Sequence, residues 1–341
     1  MSRCIRNPVH RIPLAGRESG RALLLGVLLM VAVGVLVAAL ANGGVGGGLG
    51  ALWELMRGRG DPMFARVVWE LRLPRAGGAM AAGALLALSG AWMQILLRNP
   101  LADPYVLGVS GGAACGAIVA LSAGAAGIGV DGGAWLGALS SMLLVFWLAG
   151  GPGRWDGGAR LLLTGVVVAS GWGAVVSFLL YLMPDERLRG ALFWLMGDLS
   201  RVGDPWPAWG VLGGVCVLTW PLSRSLNLLA IGPERAATLG VAVGRVRWML
   251  YLLSSLAAAS AVALAGSIGF IGLVTPHLLR LLGCTDHRLL LPASALLGGT
   301  LLTLADLLAR ILIAPRQMPA GILTALLGAP LFLWLMQRSR R

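Results

Sequence analysis

Ten apolar stretches follow one another along the chain, at roughly 22–41, 76–97, 105–128, 133–150, 160–183, 206–222, 248–265, 268–283, 289–309 and 320–336. Each is close to the 20 or so apolar residues needed to cross a bilayer as a helix. In lipid, every backbone polar group must be paired inside the segment, which leaves only helices and closed barrels as spanning structures. Runs of this length suit helices. The pattern therefore predicts an all-α integral membrane protein of about ten transmembrane helices, forming a single transmembrane domain over 1–341. Only 12% of the residues are charged, against about 25% in a soluble domain. No soluble domain, tandem repeat or coiled coil interrupts the runs.

The formal charge is +13, and all 27 basic side chains are arginine. In a soluble chain that excess would point to nucleic acid. Here the arginines sit in short segments between apolar runs, so they read as topology signals and docking charges. The missing lysine excludes a phosphate-cradling G-x-x-x-x-G-K-[ST] loop, so any ATP hydrolysis must occur on another subunit. Arg3, Arg6, Arg11, Arg17 and Arg21 precede the first run, which is too long for a signal-peptide core. They place 1–21 in the cytoplasm, and an even number of spans returns the C-terminus, with Arg338, Arg340 and Arg341, to the same side. Under this topology cytoplasmic segments hold seventeen arginines and external segments ten. Cys4, Cys115, Cys216 and Cys284 form no C-x-x-C pair and read as packing residues.

Five segments carry more specific information. Arg72-Leu73-Pro74-Arg75 lies at the external edge of the second span, where snorkelling at the interface or docking to carboxylates of an external partner would explain it. Asn99-Pro100 and Gly108-Val109-Ser110-Gly111 break the chain near the cytoplasmic side. Irregular backbone there reads either as a tight loop or as part of a transport route. The stretch 223–248 is the longest polar segment on the inner side. Within it Gly232, Pro233, Glu234, Arg235, Ala236, Leu239 and Gly240 frame a short helix suited to a soluble partner. Pro276, His277, Arg280, Asp286, His287 and Arg288 mark a structural turn, with no second ligand spaced to make His277 or His287 a metal site. Asp306 and Arg310 are four apart on one helix and can pair, and an acid inside a span needs such a partner.

Taken together, RLPR (72–75), RNPLADP (98–104), LGVSGGA (107–113), GSIGFIGLVTPHLLR (266–280), TDHR (285–288), ADLLAR (305–310) and PAGILTALLGAP (319–330) resemble the FecCD-type permeases of binding-protein-dependent ABC importers for iron–siderophores, haem and cobalamin. The C-terminal third is most similar to the cobalamin permeases. The resemblance implies a type II ABC importer bundle: two permease copies around a central path in the bacterial inner membrane, two ATP-binding cassette subunits below, and a periplasmic or surface binding protein above. It implies that Arg72, Arg75 and Arg310 face outward to acids of the binding protein, and that 232–240 contacts the ATPase. No cofactor, metal or nucleic acid is implied. Two departures stand out: Gln317 replaces a usual acid, and Cys284-Thr285 replaces a frequent Gly-Pro.

The function expected is alternating-access movement of a large chelate, cobalamin or a ferric siderophore, with haem as an alternative within the same family. From other classes, an intramembrane serine protease would need Ser110 beside His277 or His287. An ion-coupled transporter would need acids at mid-membrane, where Asp306 is the main one.

Overall fold

The computed structural model describes residues 18–43, 47–151 and 158–339. Arg3, Arg6, Arg11, Arg17, Cys4, Arg340 and Arg341 lie outside them, as does the side chain of Arg338. In chain order come α1 (Glu18–Ala41), α2 (Leu49–Met56), α3 (Pro62–Val67), α4 (Leu73–Leu96), α5 (Val109–Ser122), α6 (Ile128–Leu148), α7 (Gly158–Leu182) and α8 (Asp185–Leu195). Then follow α9 (Trp206–Thr219), α10 (Ser223–Ile231), α11 (Pro233–Thr238), α12 (Val243–Ala265), α13 (Ile271–Leu281), α14 (His287–Ile311) and α15 (Ala320–Ser339).

All ten expected runs coincide with apolar helices, but their lengths differ. Six stretches of the described residues are long and apolar enough to cross a bilayer: 20–41, 62–96, 128–148, 158–182, 243–265 and 287–311. Helices α9 and α10 form a further candidate, bent by 68°. Helices α5, α13 and the apolar part of α15 are shorter. The shortening of α5 has a local cause. Pro104–Leu107 is a 3-10 turn, and Gly108 ends it in the left-handed region (φ 73°), which costs glycine nothing.

Residues 62–96 run as one 35-residue helical stretch. Asp61 caps its start by accepting from the Met63 and Phe64 N–H groups, with Pro62 in the first turn, as helix N-termini favour. A π-helical turn at Val68–Arg72 sets the angle at which α4 leaves. At 1.5 Å per residue the stretch is about 52 Å long, against a hydrocarbon layer of about 30 Å. Its first turns therefore stand clear of the apolar layer.

Helix α4 is the axis of the molecule and is buried from Ala81 to Leu96 without a break. A helix apolar on all sides belongs inside a bundle. It packs against α12, α13 and α14. Two contacts show why small residues are required. Gly83 meets the backbone of Gly298 on α14, and Gly90 meets the backbone of Gly272 on α13, each so closely that a Cβ would collide. Lipid tails are as apolar as leucine, so such close packing is what holds membrane helices together. On the periphery, Met30, Trp147, Leu163 and Phe178 of α1, α6 and α7 point outward, as lipid-facing side chains must.

Candidate functional site

At one end of the bundle, three arginines and one aspartate converge from distant parts of the chain. Arg75 grips Asp306 with two donors, Nε at 2.9 Å and Nη2 at 2.8 Å from Oδ1. Its Nη1 donates to Gln317 Oε1 at 2.8 Å. Arg310 approaches the other carboxylate oxygen at 3.2 Å, so the expected i,i+4 pair is present. Arg72 donates from Nη1 to the carbonyls of Leu40 and Ala41, both at 2.9 Å, and lies over Phe64. The α4 and α14 axes carry Arg75 and Asp306 to the same level, and α1 ends where Arg72 can cap its carbonyls.

The arginines are not free outward charges. Arg72, Arg75 and Arg310 are 5%, 9% and 5% exposed, and Asp306 is fully buried. At this end of the bundle each guanidinium is engaged within the chain. A buried cation is costly unless paired, and these side chains turn inward to partners that the chain supplies. Charge is nevertheless in excess, since two guanidiniums share one carboxylate. Gln317 accepts a hydrogen bond where an acid would have added a second negative charge. Arg310 Nη2 is buried with no hydrogen-bond partner among the described residues. Arg72, Arg75, Arg310, Gln317 and Ser200 line a cavity of about 490 Å³.

The irregular segment after α4 is held by local bonds. Arg98 adopts a positive φ of 49°. Asn99 Oδ1 accepts from Leu101 N, and Pro100 sits exposed at the turn. Asp103 caps Tyr105, whose hydroxyl accepts from Ile268 N at 3.0 Å. Ser110 and Ser267 share a hydroxyl bond of 2.7 Å, and Gly111 packs on Trp172. The start of α5 is thus tied to the loop between α12 and α13.

At the other end, Pro276, His277 and Arg280 lie inside α13, and His287 and Arg288 open α14, so of the expected turn residues only Asp286 lies between helices; this corrects the expectation. Proline is tolerated there because neighbouring helices enclose the freed backbone. The turn itself is short and ends at Asp286, which caps α14 by accepting from Arg288 N at 3.1 Å. Arg280 donates to Gln94 Oε1 of α4, and Gln94 in turn donates to Leu273 O at 3.3 Å. Asn227 of α10 was not legible as a site residue. It joins three groups at once: Nδ2 donates to Asp286 Oδ1 at 2.9 Å, while Oδ1 meets His287 N at 2.9 Å and His287 Nδ1 at 2.6 Å. Arg21 of α1 lies 3.4 Å from the second Asp286 oxygen. Beside this joint, α11 forms within the expected 232–240 stretch. Ala236 is buried, whereas Glu234, Arg235, Leu239 and Gly240 are exposed.

Nothing here makes a nucleophile. Ser110 is paired with Ser267, His287 with Asn227, and His277 stands edge-on to Phe332, so the protease reading has no support. Among the described residues no group of three or more His, Cys, Asp or Glu side chains could hold a metal ion.

The described residues thus build a polytopic helical bundle held by small-residue packing and buried ion pairs, as a membrane-embedded protein requires. Residues 27–338 match the FecCD transport family, and the chain belongs to it. It is 41% identical to the hemin transport system permease protein HmuU of Yersinia pestis, over 95% of this chain and 98% of that one. It is 42% identical to the vitamin B12 import system permease protein BtuC of Salmonella paratyphi A, over 83% and 88%. A solved metal-chelate type ABC transporter in an inward-facing conformation superposes with a TM-score of 0.81 at 33% identity, covering 93% of this chain and 99% of that one. PsaBC from Streptococcus pneumoniae shares the fold at 16% identity, with a TM-score of 0.58 and coverage of 84% and 94%.

Proposed function

We propose that this chain is the permease of an ATP-driven importer that carries a large metal chelate across the bacterial inner membrane, with both termini in the cytoplasm. Cobalamin, haem and ferric siderophores are the cargo candidates. Two copies of the chain, two ATP-binding cassette subunits and an external binding protein make the working assembly. What supports the reading is kinship over nearly the whole length with permeases named for hemin and vitamin B12, at almost equal identity.

In this scheme the cavity beside Arg72, Arg75 and Arg310 receives carboxylates of the binding protein. The excess of guanidinium there attracts acids, and Arg310 Nη2 has a hydrogen bond still to give. Such charges set orientation, encounter rate and salt dependence more than total affinity. At the opposite end, Glu234, Arg235, Leu239 and Gly240 of the α11 region present an exposed surface to the ATPase, with Gly232 and Ala236 anchoring it. ATP binding draws the ATPases together, α10 and α11 pass on the movement, and the two permeases tilt. Asn99, Pro100, Gly108, Ser110 and Gly111 border the path at the broken start of α5. The permease itself breaks no bond.

The test is uptake into reconstituted vesicles containing the assembled transporter. Cobalamin, haemin and a ferric siderophore are offered in turn, each with its binding protein. ATP-dependent uptake of one chelate, absent without ATP or without the binding protein, is the expected result. No uptake of any chelate by a fully assembled transporter would overturn the reading.

A further inference from the structure

Asn227 is a polar side chain with an unusually full set of partners. Its amide nitrogen must face the Asp286 carboxylate, because a carboxylate only accepts. That fixes Oδ1 towards His287, where it accepts from the backbone N–H and, at 2.6 Å, from the imidazole Nδ1. The proton of that imidazole is therefore on Nδ1. Asp286 meanwhile caps α14 and meets Arg21 of α1. One amide thus locks α10 to the first turn of α14, while the Arg21–Asp286 ion pair ties α14 to α1.

Helix α14 is 25 residues long and carries Asp306 and Arg310 towards its far end. There Asp306 is clamped by Arg75 of α4 through a two-donor ion pair. Both ends of α14 are held by directional polar contacts, and between them Gly298 meets α4 backbone to backbone.

We infer that Asn227 is the positioning residue that transfers movement of the α10–α11 segment to α14, and so links the two ends of the permease. This rests on the reading that 232–240 meets an ATPase. Without Asn227, α10 and α11 still form and still present Glu234 and Arg235, but their displacement is no longer imposed on α14.

The experiment compares Asn227→Ala, Asn227→Asp and the exchange Asn227→Asp/Asp286→Asn in the complete transporter in vesicles. Three quantities are read: ATPase subunit retained on purification, ATP hydrolysed, and chelate taken up per ATP. The two single variants should keep the ATPase subunit and hydrolyse ATP. Their uptake per ATP should fall about ten-fold, a loss within the ordinary range of coupling between sites. The exchange restores the joint with donor and acceptor reversed: the new asparagine donates to the new carboxylate, which still accepts from His287. Asparagine also remains a good helix cap. Uptake per ATP should recover. Unchanged uptake per ATP in both single variants, or no recovery in an exchange variant that assembles, would overturn the inference. Loss of the ATPase subunit in Glu234 or Arg235 variants tests the coupling surface separately. If those variants bind and transport normally, the underlying reading fails, whatever Asn227 does.

Discussion

Asp306 carries more of the molecule than any other acid among the described residues, because two guanidiniums depend on it. Asp306→Ala leaves Arg75 and Arg310 buried without a counter-charge. Removing one partner of a buried pair typically costs about 3–5 kcal/mol, so the thermal midpoint of the detergent-solubilised protein should fall by many degrees. Gln317→Glu should act in the opposite direction, since it offers Arg75 Nη1 a charged acceptor; the same melt would show a rise. Asp286 behaves differently because it sits outside the span. Burial pushes its carboxyl up, but the Asn227 amide, the Arg288 N–H and the Arg21 guanidinium together hold it below the ordinary value. A lowered folded pKa stabilises above the unfolded value of about 4 and is lost as pH falls through the folded one. Stability measured from pH 5 downward should therefore drop less steeply in Asp286→Asn than in the parent. The Asp306–Arg310 pair was legible in sequence because it is four residues long. The Arg75–Asp306 pair was not, since 231 residues separate its members, and a lone asparagine such as Asn227 has no spacing to betray it.

Among the elements, the apolar runs predicted where helices form, while backbone chemistry decided how long they are. The run expected over 105–128 yields only α5 because Pro104 and Gly108 spend its first residues on a 3-10 turn. The polar stretch after Ser223 becomes two short helices, with α10 continuing α9 through a 68° bend. Sequence periodicity does not report such a bend. Nor does it separate a glycine needed for packing from one that is merely tolerated, yet the structure separates them sharply. Gly90→Leu drives a side chain into the backbone of α13, whereas a Cβ at Gly34 of α1 meets nothing within 4 Å. Overpacking costs about 1–3 kcal/mol even in forgiving cores, and backbone cannot move aside as a side chain can. Gly90→Leu should abolish the monodisperse peak in gel filtration, and Gly34→Ala should leave it unchanged.

For the whole molecule, two polar ends are joined by an apolar middle, and each end should fail in its own way. Glu234→Arg/Arg235→Glu reverses both exposed charges of α11 without touching buried Ala236. It should reduce co-purification of the ATPase subunit while the permease still folds. The membrane character, the order of motifs and the polar segment at 223–248 were all legible from residues alone. The inward turn of Arg72 and Arg75 was not, because it depends on where α1 ends and where α14 arrives.

That last dependence reaches back to how the chain is made. Arg75 leaves the ribosome long before Asp306, which follows 231 residues later. At about 5–20 residues per second the wait is roughly ten to fifty seconds. For that time α4 carries a cation whose counter-charge does not yet exist. The outer turns of α4 must remain at the insertion machinery or in the headgroup layer until α14 emerges. Translation products that stop short of Asp306 should be left with Arg75 unpaired at the end of α4, and so be removed faster than the full-length chain.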